Sequence, residues 1–210
     1  MESSPRPTKV IPLISTPQIV PSQVCLSCNV CCRFPDRHSA FRPYFTEFEI
    51  QQAVLGGIDA SHFLNSAGSH VEAVPNPLGE GYVCPAFDPE TSHCRIYEVR
   101  PLDCQLYPFL MMWDQDREGV YLGWDRKCPF LVDQSTSVDK NQLVRATGHQ
   151  ANALSEVVQR FAQGMAARVE SQEMIEILSA NPQLVMDFQD DAVVIRKLPR
   201  LTAALRSAGE

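Results

Sequence analysis

The sequence has no apolar run approaching the roughly 20 residues that a membrane-spanning helix requires, so no span is expected in its 210 residues. Positive charge is scarce as well: 18 Lys and Arg stand against 25 Asp and Glu, a formal net charge of −7. Sequence-independent nucleic-acid binding needs a basic face that releases phosphate counterions, so nucleic acid is not an expected partner. Residues 1–7 offer no basic start leading into a long apolar stretch, and the short run 10–14 is interrupted by Pro12. No secretion signal is read there, which implies a reducing, cytoplasmic setting where stable disulfides are uncommon. The H-E-x-x-H, G-x-S-x-G and Walker signatures are all missing. Gly56-Gly57 closes a helix and Gly79-Glu80-Gly81 precedes a cysteine strand, so neither is a nucleotide-binding turn. No cysteine follows Cys128.

What the chain does have is eight cysteines, all between residues 25 and 128. Four fall in eight residues as C-x2-C-x2-C-C: Cys25, Cys28, Cys31 and Cys32. The others are Cys84, Cys94, Cys104 and Cys128. In a reducing compartment such density points to metal or redox chemistry rather than disulfides. Thiolates hold tetrahedral zinc at about 2.3 Å, and four of them also hold an iron–sulfur cluster. If residues 25–32 form a helix, Cys25, Cys28 and Cys32 share a face and Cys31 is rotated by about 100° from Cys32. The adjacent pair then suits two centres, or one centre and a free thiol. A tight turn instead presents Cys25 and Cys28 as a knuckle pair that distant ligands complete. Cys84-Pro85 and Cys128-Pro129 match the proline that follows ligands in ferredoxin-type runs. His38 and His93 are the histidines nearest the cysteines, but eight thiols already suffice. Arg33, Arg95, Arg100, Arg126 and Lys127 lie within four residues of a cysteine; each is read individually as a solvated surface charge.

Residues 1–21 carry five prolines and are expected to be an extended or disordered leader. Thr46 and Glu49 have capping-box spacing ahead of a half-buried helix through Phe48, Ile50, Ala53 and Val54 that Gly56-Gly57 ends. A second short helix is expected over 59–67, with Phe63 and Leu64 inward. Residues 82–87 and 94–97 read as a hairpin with one cysteine in each arm, and 109–113 with 120–124 as another. Beyond residue 133 the pattern changes. Leu154, Val157, Val158, Phe161, Met165 and Val169 recur at helical spacing, a second helix starts at Ser171 and stops at Asn181-Pro182, and 184–188 with 192–198 form a hairpin. The amphipathic stripe is most simply internal core; a protein-partner interface is the alternative.

The residues also carry a family likeness. Cys25-x2-Cys28-x2-Cys31-Cys32, then Cys84-Pro85-Ala86-Phe87, then Cys94-Arg95-Ile96-Tyr97-Glu98-Val99-Arg100-Pro101-Leu102-Asp103-Cys104 running on to Phe109, resemble the YkgJ-type cysteine-cluster family, the CxxCxxCC domain. The resemblance covers about residues 22–132. It implies a zinc- or iron-chelating domain whose biochemical activity is undefined, with Gln105 at a position that is basic in many members. Some relatives resemble flagellin lysine N-methylases.

The fold class expected is α+β: a leader over 1–21, a cysteine-cluster metal-binding domain over 22–135 with short helices and hairpins, and a helical and hairpin extension over 136–210. The function expected is metal binding by all eight cysteines, in one or two centres, with zinc or iron as the cofactor, an iron–sulfur cluster included. The alternatives are a metal-dependent enzyme such as a lysine N-methylase-like transferase, and a thiol redox protein. Because metal binding in such sites is also folding energy, loss of metal should unfold residues 22–132 first.

Overall fold

The protein is described from a computed structural model covering residues 18–28, 30–134 and 156–208. Most of the leader lies outside these residues, but Gln18, Ile19 and Val20 do not trail free: Ile19 and Val20 are buried in the larger of two apolar cores. Helix α1 (Ser22–Leu26) follows Pro21, whose carbonyl accepts from the Val24 and Cys25 amides. It stops after five residues. A helix over 25–32 does not form; Cys25 lies in α1, and Cys28, Cys31 and Cys32 lie in the turns beyond it.

Strand β1 (Arg33–Phe34) is followed by β2 (Tyr44–Thr46) and helix α2 (Glu47–Leu55). The capping box is present, with Thr46 and Glu49 bonded reciprocally, and Gly57 leaves the helix with φ of +91°, a conformation that favours glycine. Ile50 and Ala53 face inward, whereas Val54 is exposed. The helix expected over 59–67 shrinks to a three-residue 3-10 turn, Ala60–His62. Asp59 caps the turn by accepting from the Ser61 amide, and beyond it Asn65 accepts from the Ala67 amide, a local bond that competes with helical ones. Phe63 is buried, but Leu64 is 79% exposed.

Strand β3 (Gly68–His70) pairs with β2, while β4 (Val74–Pro75) and β1 flank β5 (Tyr82–Val83). A hairpin follows from β6 (Phe87–Asp88) and β7 (His93–Cys94). Cys94 occupies one arm as expected; Cys84 does not occupy the other. Pro85 has no amide to continue a ladder, the Phe87 amide turns back to the Cys84 carbonyl, and the Cys84 amide bonds Cys32 instead. Phe34, Phe45, Ile50, Val83, Phe87 and Ile96 belong to the smaller core that these elements enclose.

Helix α3 (Leu102–Leu106) leads into strands β8 (Phe109–Trp113) and β9 (Val120–Asp125), the second expected hairpin, with register Met111 to Leu122. Helix α4 (Pro129–Gln134) follows Cys128. Helix α5 (Glu156–Val169) realises the amphipathic stripe: Val158, Ala162, Met165, Ala166 and Val169 are buried in the larger core, beside α6. Leu154 lies outside the described residues. Helix α6 (Gln172–Ala180) is capped by the Ser171 hydroxyl and ends at Asn181, as expected.

The C-terminal strands do not pair with each other. Strand β10 (Val185–Met186) runs parallel to β8, and β11 (Ala192–Lys197) runs antiparallel to β9, giving the order β10-β8-β9-β11. The two therefore run the same way on opposite edges, which excludes a hairpin. A self-contained hairpin would leave both edges of β8–β9 unpaired; this arrangement satisfies them and places Val185 and Val193 in one core. Strands from both sides of residue 135 share the sheet. Helix α7 (Pro199–Ala208) closes it, the Thr202 hydroxyl accepting from the Val120 amide at 2.9 Å.

His70 of β3 is half-buried, with Nδ1 donating to the Arg42 carbonyl at 2.8 Å and its ring edge-on to Tyr44. Burial holds its pKa below the usual 6.5; the carbonyl bond opposes the shift and the Arg42 charge adds to it. The unfolded chain thus binds a proton here before the folded one does, so stability is full above pH 6.5 and falls as pH drops below it. His70→Gln should flatten that fall, measured as urea midpoints between pH 7.5 and about 5.

Candidate metal centre

Between the two cores lies a cavity of about 170 Å3 whose wall includes Cys25, Cys28, Cys31, Cys32, Cys84, Cys94 and Cys104. Seven of the eight expected ligands thus open on one space. The eighth, Cys128, is 4% exposed, packed in the larger core at the start of α4, where its carbonyl accepts from Val132. None of the eight is in a disulfide. His38 and His93 are exposed and do not line the cavity.

Cys104 is placed by a local turn and by two long-range hydrogen bonds. Arg100 is extended (φ −59°, ψ 145°) ahead of Pro101, the geometry a following proline favours. Pro101 caps α3 and so presents Cys104. That helix is fixed by two carboxylates, of which sequence reasoning named Glu49 only as a capping residue and missed Asp103. Glu49 takes the Thr46 amide at 2.9 Å and the Leu102 amide at 2.6 Å, and Asp103 takes the Tyr44 amide at 2.9 Å. Burial pushes both carboxyls up, Asp103 to about 6, and the amide bonds pull the other way. The capping box identified Glu49; its second partner, 53 residues away, left no local signal.

Burial also governs the thiols. It pushes Cys25 and Cys128 up to about 11 and Cys84 to about 12, and it raises Cys94 and Cys104. Each of these also feels other thiols of the cluster. Cys31 goes the opposite way, because the Cys32 thiol, with Sγ 4.0 Å away, hydrogen-bonds to it. The result is a nest of thiols that resist charging unless a cation replaces their protons.

Arg100 is the main cation facing them. Its guanidinium lies 3.9 Å from the Tyr97 ring centroid, bonds the Tyr97 carbonyl and Gln18, and lowers Cys25, Cys31 and Cys94. The expectation of a plain surface charge fails for this residue. Arg33 and Lys127 also line the cavity, with Lys127 paired to Asp191 at 3.2 Å. Arg95 bonds the Pro85 carbonyl, and Arg126 the Asp191 carbonyl. Tyr97, Tyr107 and Phe109 line the wall; Trp113 does not. Asp125, also missed, is buried beside the Tyr107 hydroxyl, and its charge acts on Cys31.

The donor set suits zinc or iron in kind: soft thiolates, no oxygen-rich cage, cations near by. Among the described residues, no three His, Cys, Asp or Glu side chains yet stand within joint reach of one ion. The Cys31–Cys32 separation of 4.0 Å is close to the edge of about 3.8 Å in a tetrahedron with bonds of about 2.3 Å. Closing a shell therefore requires side chains already facing the cavity to draw inward.

A model of the CxxCxxCC family, described as a putative zinc- or iron-chelating domain, matches residues 24–129, a span that contains all eight cysteines. No curated protein and no solved structure matches the chain. Among the described residues, no helix is long and apolar enough to cross a membrane.

Loss of the Arg100 charge should weaken metal binding. Arg100→Gln is expected to raise the zinc Kd about tenfold, equivalent to ~1.4 kcal/mol, with Arg100→Lys between it and wild type. Competition against a chromophoric chelator reads the difference.

Proposed function

This chain belongs to the CxxCxxCC family, and from that premise we propose that its eight cysteines chelate zinc or iron and that the bound metal fastens the two apolar cores together. The observation that carries the reading is the convergence of thiols from both sides on one cavity. Cys25 packs on the larger core, Cys84 is buried in the smaller one, and Cys32 and Cys94 pack against the smaller core. A shell made wholly of thiolates leaves no open position for substrate, so the metal acts as a structural tie.

The cavity speaks against the methyl-transfer alternative. At about 170 Å3 it falls short of the roughly 300–1,000 Å3 typical of a site for a cofactor-sized molecule. The thiol redox reading has one observation in its favour, the 4.0 Å approach of Cys31 and Cys32. It requires the fold to survive without metal.

Chelation under reducing conditions distinguishes the two. The chain should lose near-UV circular dichroism, and amide exchange should rise first in the smaller core, because binding energy there is folding energy. Full retention of the native spectrum in metal-free protein would overturn the structural-tie reading and leave the redox one. Elemental analysis after aerobic purification identifies the ion: colourless protein with zinc, or brown protein with iron and acid-labile sulfide.

A further inference from the structure

We propose that Gln18 is a positioning residue of the metal centre: it holds the Arg100 guanidinium at the thiol-lined cavity through a neutral acceptor, which leaves the full positive charge free to offset the thiolates. The inference rests on the chelation reading above and deepens it. Gln18 precedes residues 24–129, which the family model matches, so the CxxCxxCC motif does not contain it.

Arg100 lines the cavity that the cysteines share. A guanidinium has only donors, so whatever holds it must accept. Its Nη1 donates to the Tyr97 carbonyl at 3.0 Å and its Nη2 to Gln18 Oε1 at 2.8 Å, while the group lies 3.9 Å from the centroid of the Tyr97 ring. The contact with Arg100 decides which end of the Gln18 amide faces it. Nε2 is then turned to Tyr97, whose hydroxyl accepts from it at 3.1 Å. Gln18 is thereby locked between two side chains of the segment that joins Cys94 to Cys104. Its main chain is fixed as well: the next two residues, Ile19 and Val20, are buried in the larger core. Pro21 and α1, the helix that carries Cys25, follow at once.

The informative point is that the acceptor is an amide. Other cations of the chain pair with carboxylates, Arg42 with Glu72 at 3.0 Å, Arg168 with Glu173 at 2.7 Å and Lys127 with Asp191 at 3.2 Å. Among the described residues, Arg100 pairs with no carboxylate. Glutamate at position 18 would reach the same Nη2, and a charge-assisted bond is roughly twice as strong as a neutral one. It would also cancel the guanidinium charge beside the thiols, where that charge is needed. A clamp that only had to hold the chain would gain from the acid; one that presents a cation to thiolates requires the amide.

The zinc affinity of the reduced full-length chain, read at one pH by competition with a chromophoric chelator, tests this in wild type, Gln18→Met and Gln18→Glu. Gln18→Met removes the acceptor but leaves the guanidinium charged, and should raise the zinc Kd about threefold; Gln18→Glu keeps the acceptor and cancels the charge, and should raise it about tenfold. A purely structural clamp gives the opposite order, because the carboxylate restores the bond that methionine loses. Saturated with cobalt(II), Gln18→Glu should show the wild-type thiolate charge-transfer band, since no ligand has changed. A weaker band would place the loss in the thiolate shell and overturn the inference. So would Gln18→Glu binding zinc as tightly as Gln18→Met or more tightly, or Gln18→Met matching wild type; each of these leaves chelation standing. Wild-type chain that takes up no zinc would overturn chelation itself.

Discussion

Thiols gathered between two apolar surfaces meet an electrostatic constraint that the rest of this structure answers. Burial and mutual repulsion both oppose ionisation, and they raise the thiols of Cys25, Cys84, Cys94, Cys104 and Cys128 together. One guanidinium, that of Arg100, offsets part of this and is itself anchored by Gln18 from the segment before α1. Side-chain cations of this kind, Arg33 and Lys127 on the wall included, do not match so many thiolates. A divalent ion can, because it becomes the largest charge in the site and inverts the local preference for protonation.

The wall of the cavity is largely apolar, and the element that carries Cys104 is held in it by buried polar contacts. Helix α3 has only five residues, too few to hold Cys104 in place by its own stability. It is held by Glu49, which reaches the Leu102 amide from α2, and by Asp103, which takes the Tyr44 amide of β2. Both carboxyls carry a desolvation cost, tolerable because each accepts from main-chain donors that burial would otherwise orphan. Anchoring Cys104 through buried acids ties its position to α2 and β2.

Local features were legible in the sequence. The Thr46–Glu49 box, the Ser171 cap, the β8–β9 hairpin and the α5 stripe each rest on a pattern that short-range physics produces. The cysteine motif was equally plain, and seven of its members do converge. Long-range pairing was not legible. Nothing near Glu49 announces the Leu102 amide, and nothing near residues 184–198 says that two strands sharing a short connection will take opposite edges of an earlier hairpin. The 59–67 segment failed for a different reason: Asp59 caps the start of the turn, but Asn65 supplies a side-chain acceptor to the Ala67 amide that competes with continued helix. Arg100 was misjudged because charge near a cysteine in sequence does not reveal whether it faces the thiols.

The family match ends at residue 129, before β10, β11 and the three C-terminal helices α5, α6 and α7. Taken alone, the matched region would leave both edges of the β8–β9 hairpin unpaired and the buried side of Met111, Leu122 and Trp124 without a cover. Bare edges and a bare apolar face invite association with other chains. In this protein the segment after residue 155 covers all three. It also reaches the site: Met186 of β10 lines the cavity, and Asp191 holds Lys127 one residue before Cys128. The C-terminal part is therefore structurally continuous with the thiol cluster, and the geometry of the cavity depends on residues that the CxxCxxCC motif does not contain.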